Sequence, residues 1–134
     1  MIKSINHIGI AVKDLDVSLQ TFKNLLQVTE IHYETVVKQK VKVASFKVGE
    51  VRIELTQATD ESSPIAKFIE KKGEGIHHIA FETDDVNDEL HRLKNLDFSL
   101  INEQAETGAH NMLISFLHPK STNGVLIELC QQIS

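Results

Sequence analysis

The chain repeats itself, and the repeat constrains both the order of its elements and the places its polar side chains can occupy. Residues Ile5–Leu25 (INHIGIAVKDLDVSLQTFKNL) and Ile76–Leu96 (IHHIAFETDDVNDELHRLKNL) align with His7 on His78 and Leu19 on Leu90. Lys23-Asn24-Leu25 falls on Lys94-Asn95-Leu96 in the same alignment, at an offset of 71 (78 − 7). Each copy closes with a matching segment, VRIELTQ from Val51 and VLIELCQ from Val125. Glu54 therefore matches Glu128, at an offset of 74 (128 − 54), and the three extra residues imply a small loop difference. A duplicated module with one His and one Glu per copy can assemble four metal ligands about an internal pseudo-twofold axis.

The patterning gives each copy the order β-α-β-β-β. In the first, Ile8, Ile10 and Val12 share one strand face, and Ile5, His7, Gly9 and Ala11 share the other. Asp14 is an N-cap for a helix whose apolar positions are Leu15, Leu19, Phe22 and Leu26. Strands are expected over about Val28–Val36, Val41–Val48 and Val51–Gln57, with Gly49-Glu50 as a hairpin turn. Ser63-Pro64 reads as a cap and first helical position for a short helix over Ile65–Lys72, ended by Gly73 or Gly75. The second copy predicts a strand at Ile76–Thr83, a helix capped by Asp84 or Asp85 and running to about Leu96, and strands near Phe98–Asn102, Met112–Leu117 and Val125–Gln131. The chain thus reads as one domain, 1–134, with modules 1–57 and 76–134 joined by a linker and short helix over 58–75.

Bulk properties exclude some partners. A net charge of −5 argues against nucleic acid and anionic membranes, which need a basic face. No apolar run approaches the roughly 20 residues of a membrane span, and MIKSINH lacks the apolar core of a secretory signal. A single cysteine, Cys130, rules out an intrachain disulfide and suits a reducing cytoplasm.

Strand parity selects the chemistry. Val51, Ile53 and Leu55 share one face of their strand, while Arg52, Glu54 and Thr56 take the other; Ile127 and Leu129 likewise oppose Glu128. His7 and His78 also stand opposite the apolar faces, so the helix can cover one face of each module and the His/Glu face can line a cavity. Burying a carboxylate in an apolar strand is costly unless it is paired or bound to metal. Two imidazoles and two carboxylates suit Co²⁺, Ni²⁺, Zn²⁺, Mn²⁺ or Fe²⁺ rather than Ca²⁺ or Mg²⁺. His77 has the opposite parity and belongs with packing; His32 and His91 read as surface residues of a strand and a helix.

The paired modules, with INHIGIAVKDLD, GEGIHHIAFE (Gly73–Glu82), TGAHN (Thr107–Asn111) and FLHPKSTNGVLIELCQ (Phe116–Gln131), resemble the vicinal oxygen chelate (glyoxalase/bleomycin resistance) superfamily. Within it the methylmalonyl-CoA epimerases are most similar, and glyoxalase I (lactoylglutathione lyase) is the sister group. The resemblance implies an α+β fold in which two βαβββ modules form a curved mixed sheet, a half-barrel, around a metal cavity. It implies one divalent transition metal (Co, Ni, Zn or Mn) on His7, Glu54, His78 and Glu128. It further implies a metal-dependent isomerase acting on the proton α to a thioester carbonyl through a metal-stabilised enolate, with Glu128 doubling as a base. His110 and Asn111 would approach the acyl group or thioester, Lys38 would contact coenzyme A phosphate, and the protein would be a cytoplasmic homodimer. Epimerases of this kind carry a second, non-ligand glutamate in the loop before the third strand, where Lys38-Gln39-Lys40 offers no carboxylate. That departure leaves glyoxalase I chemistry, S-lactoylglutathione from methylglyoxal and glutathione, as an alternative; a metal-free small-molecule-binding protein is the non-enzymatic one.

Overall fold

A computed structural model describes residues 1–133. The chain is α+β, and it divides into two compact units, His7–His77 and Met1–Asn6 with His78 onward. The division falls within β1 (Ile2–Ala11) and within β5 (Gly75–Thr83), so the first six residues group with the second copy of the repeat. Asn6 Nδ2 donates to Glu82 Oε1 at 2.9 Å, and Lys3 Nζ lies 3.8 Å from Glu82 Oε2.

In the His7–His77 unit, β1 is followed by α1 (Leu15–Leu26), β2 (His32–Val36), β3 (Val41–Val48), β4 (Val51–Ala58) and α2 (Pro64–Lys72). The strand order is β2-β3-β4-β1, with β1 parallel to β4 and the other pairs antiparallel. Asp14 caps α1 by accepting from the Val17 amide, and Gln27 ends it in the left-handed region. Leu15 and Leu19 of α1 pack on Val12, Ala44, Phe46 and Leu55, with Ile10, Phe22 and Ile53 at the margin. This is the helix-facing side that the alternation assigned. Ser63 caps α2 with Pro64 at its start, and Gly73 closes it.

The second unit repeats the design: β5, α3 (Val86–Asn95), β6 (Glu106–Thr107), β7 (Met112–Leu117) and β8 (Ile127–Gln132), ordered β5-β8-β7-β6. Here β5 is parallel to β8 and the remaining pairs are antiparallel. Asp85 caps α3, whose Val86, Leu90 and Leu93 pack against Phe81, Leu117, Ile127 and Leu129. Opposite that layer, Ala80, Met112, Ile114 and Cys130 form a second apolar cluster bordered by Phe116.

Two expected strands differ. Residues 28–31 are a loop, because Val28 and Ile31 both turn inward onto the α1 core instead of alternating. Residues 98–102 make only an isolated bridge, Leu100 to Leu117, and the strand in this place is β6. The cause is Asn102. Its side chain accepts from the Phe116 amide at 2.9 Å, and its carbonyl accepts from Ser115 Oγ at 3.0 Å, so side chains replace a regular ladder.

The repeat survives at the level of register. Gly9 pairs with Glu54 and Ser45 with Glu54 in one unit; Ala80 pairs with Glu128 and Phe116 with Glu128 in the other. Gly9 and Ala80, like Ser45 and Phe116, are separated by the same 71 residues that separate the histidines.

Candidate metal and active site

In each unit the histidine and glutamate of the repeat are brought together by strand pairing. Gly9 lies directly across from Glu54, and His7 stands two residues back on the same face. His7 Nε2 lies 3.6 Å from Glu54 Oε1. The second unit has the same register, with the small residue Ala80 across from Glu128, and His78 Nε2 lies 3.3 Å from Glu128 Oε1. All four are buried: His7 and Glu128 are 4% exposed, Glu54 5% and His78 7%. The Phe116 ring meets His78 edge-on at 5.8 Å between centroids, which fixes the imidazole plane.

Each pair fits a divalent ion. Two donors held about 2.1 Å from one ion stand about 3.0 Å apart on an octahedral edge and about 3.4 Å apart on a tetrahedral one. The separations of 3.6 and 3.3 Å are close to that range. The donor chemistry also fits, since imidazole nitrogen with carboxylate oxygen is a set that transition ions take. Ala80 and Phe116, the two register partners of Glu128, belong to an apolar cluster with Met112, Ile114 and Cys130, and apolar neighbours strengthen electrostatic interactions.

The other residues singled out in the sequence lie elsewhere in their units. His110 and Asn111 occupy a short turn, 109–111, between β6 and β7, and both have positive φ, 57° and 52°. Two successive non-glycine residues in the left-handed region cost of the order of 1 kcal/mol each, which a turn retains only when its surroundings hold it. Gly108 is buried beside them; a Cβ there would stand 2.6 Å from Ile114 Cδ1, so a larger residue in TGAHN would force the Ile114 side chain to move. Lys38 is exposed in the 37–40 turn of the β2–β3 hairpin. His118 caps the turn at Pro119–Ser121 by accepting from the Lys120 amide.

His32, read from the sequence as a surface residue, stands with Glu34 on the face of the first unit that carries His7 and Glu54. His32 and Glu34 alternate on β2 and pair with Ser45 and Val43, while Ser45 in turn pairs with Glu54. His32 Nε2 lies 3.2 Å from Glu34 Oε1. The i, i+2 spacing on a strand was the available signal, because it places both on one face. Beside them the 27–31 loop borders a cavity of about 630 Å³ whose wall includes Glu30, His32, Lys47 and Arg52. That is within the usual size range of small-molecule sites.

A profile of the glyoxalase/bleomycin resistance protein/dioxygenase superfamily matches residues 6–116, and the chain belongs to that superfamily. Its relatives include epimerases of coenzyme A thioesters. It is 36% identical over 98% of its length to an ethylmalonyl-CoA/methylmalonyl-CoA epimerase of Cereibacter sphaeroides, of which it covers 99%. It is 41% identical over 95% of its length to an uncharacterized protein of Bacillus subtilis, YqjC, of which it covers 91%. A solved methylmalonyl-CoA epimerase, in complex with methylmalonyl-CoA and NH4+, is 32% identical with a TM-score of 0.95, covering 100% of this chain and 97% of that one. Among the described residues no helix is long and apolar enough to cross a membrane.

Proposed function

We propose that the protein is a divalent-metal-dependent epimerase that inverts the carbon α to a thioester carbonyl, with methylmalonyl-CoA as substrate. The observation that carries this reading is the buried His/Glu pair at the same register in both copies of the repeat, in a chain whose relatives are epimerases of this substrate. In this reading His7, Glu54, His78 and Glu128 hold one ion. That ion, when bound, supplies Lewis-acid stabilisation of negative charge on the thioester oxygen.

The chain's own residues perform the proton transfer. Glu128 accepts the α-proton as a carboxylate, and at 4% exposure it meets little competing water. His78, oriented by Phe116, fixes the position from which Glu128 acts. His110 and Asn111 contact the acyl group from their constrained turn, and Lys38 contacts coenzyme phosphate from the hairpin tip. The active protein is a homodimer in this reading.

The test is exchange of the α-proton of methylmalonyl-CoA with deuterated solvent, using protein reconstituted with Co²⁺. Exchange accompanied by inversion is expected; no exchange at full metal occupancy overturns the reading. Glyoxalase I chemistry is the second reading, favoured by the absence of a carboxylate from the 37–40 turn. Formation of S-lactoylglutathione from methylglyoxal and glutathione by the same preparation decides for it.

A further inference from the structure

We propose that the cavity beside the 27–31 loop binds a small organic monocarboxylate, with the Arg52 guanidinium as its anchor and Lys47 as its second cation. The cavity lies wholly within the His7–His77 unit. Among the described residues none of the proposed metal ligands lines it, so the proposal stands independently of the epimerase reading.

Two cations face each other there. Lys47 and Arg52 are direct partners across the β3–β4 ladder, so their side chains leave the same face of the sheet about 5 Å apart. Like charges in that position repel and weaken the ladder. Among the described residues neither takes part in a salt bridge. Arg52 in turn pairs with His7 of β1, so a row of three basic side chains crosses the sheet. An anion seated between Lys47 and Arg52 offsets that repulsion. Arg52 is only partly exposed, so its charge acts at a lower effective dielectric than in open water. Its planar fork matches a carboxylate with two parallel hydrogen bonds, whereas Lys47 supplies a point charge.

The rest of the wall sets the charge and character of the occupant. Val28 and Ile31 pack on the α1 core and Phe46 belongs to it, so an apolar surface stands beside the two cations. The loop is anchored at Val28 and Ile31 and at Gln27, whose amide donates to the Lys23 carbonyl. The wall is therefore preformed, which lowers the ordering cost of binding. Glu30 is the one carboxylate of this wall. Two cations against one carboxylate leave a single positive charge while His32 is neutral. That balance matches a monoanion and disfavours a dianion. A volume of about 630 Å³ leaves room for a body of several carbons. The ligand class is thus a short-chain or branched acid, one carboxylate on an apolar body.

The test is titration of the full chain with isobutyrate, followed by amide NMR shifts, with isobutyramide and inorganic phosphate as parallel probes. Mildly alkaline buffer keeps imidazoles neutral and inorganic phosphate a dianion. Each titration is repeated after chelation of metal. Isobutyrate is expected to shift amides of the 27–31 loop and around Lys47 and Arg52, saturating with a Kd on the order of 1 mM, with or without chelator. Isobutyramide and phosphate should each bind at least about tenfold more weakly. Arg52→Gln should weaken isobutyrate by about tenfold or more. Arg52→Lys should recover part of that loss, because it keeps the charge and gives up the fork. Glu30→Gln should narrow the preference for isobutyrate over phosphate. A Kd for Arg52→Gln within about threefold of the parent value overturns the proposal. Isobutyramide binding as tightly as isobutyrate overturns it too, since charge would then play no part. Phosphate binding as tightly as isobutyrate overturns the monocarboxylate assignment, and loss of the shifts on chelation places the acid on a metal ion instead.

Discussion

Chelation is the perturbation that tests the proposed metal site most directly. The four proposed ligands are at most 7% exposed, and an ion that they hold would be largely absent from the unfolded chain. Such an ion stabilises the fold by RT ln(1 + [M]/Kd), about 2.7 kcal/mol at a hundredfold excess over Kd. With 134 residues and about 2.1 cal/mol/K of unfolding entropy per residue, the whole chain has about 0.28 kcal/mol/K. The expected fall in Tm on chelation is therefore about 10 °C, recovered on adding Co²⁺ and read by scanning calorimetry. The same experiment on two variants asks whether the ligands form one site. If His7, Glu54, His78 and Glu128 share one ion, the protein binds one Co²⁺ per chain, and His7→Ala and His78→Ala each erase most of the shift. If each His/Glu pair held its own ion, stoichiometry would be two and each variant would keep about half the shift. A melting curve unmoved by complete chelation, or two ions per chain, refutes the reasoning from the repeat.

Glu128→Gln keeps a carbonyl oxygen as a donor but cannot accept a proton, so α-proton exchange is expected to fall at least about 100-fold while bound metal, measured by atomic absorption, is largely retained; a parental exchange rate removes Glu128 from the role of base. Leu55 has no solvent exposure and packs between β4 and α1, so Leu55→Ala should cost about 2–5 kcal/mol in urea unfolding; a cost below about 1 kcal/mol would contradict the packing described. The hydrogen bond from Arg92 Nε, 2.6 Å from Glu89 Oε2, holds the Glu89 carboxyl below the ordinary glutamate range. A depressed folded value means that this contribution is complete above the unfolded value of about 4.3 and is lost as pH falls through the folded one. Glu89→Gln should accordingly flatten the acid limb of stability against pH, and an unchanged slope would show that Glu89 contributes nothing there.

Much of this molecule was readable in the chain because the repeat supplies an internal check. Helix boundaries followed from caps: Asp14, Ser63 and Asp85 each accept the amide that their position requires. The faces that carry the His/Glu pairs followed from period-two alternation in β1, β4, β5 and β8. Where tertiary contacts decide the backbone, the reading failed. Asn102 satisfies β7 with its side chain, which no periodicity records. Val28 and Ile31 are apolar because they close the α1 core, and without that knowledge they look like the start of a strand. The His32–Glu34 pair was visible as i, i+2 spacing, but its place on the Glu54 face depends on a three-strand register that the first unit alone reveals.

The division between repeated and unrepeated parts also has a physical basis. The proposed ligands sit on β1, β4, β5 and β8, the parallel strand pairs of the two units. Their geometry depends on a small residue, Gly9 or Ala80, directly across from a buried glutamate. Both copies place a small residue at this register position, and a bulky side chain there is expected to disturb the pair beside it. The outer strands carry no such constraint. β2 has five residues and β6 two, and the β2–β3 connection is a tight turn where the second copy has instead the Gly108–Asn111 segment with two left-handed residues. Side chains on these outer elements can change without disturbing the His/Glu registers. Substitutions on β2 and on the β6–β7 turn are therefore expected to spare bound metal, whereas substitutions at Gly9 or Ala80 should act first on metal affinity.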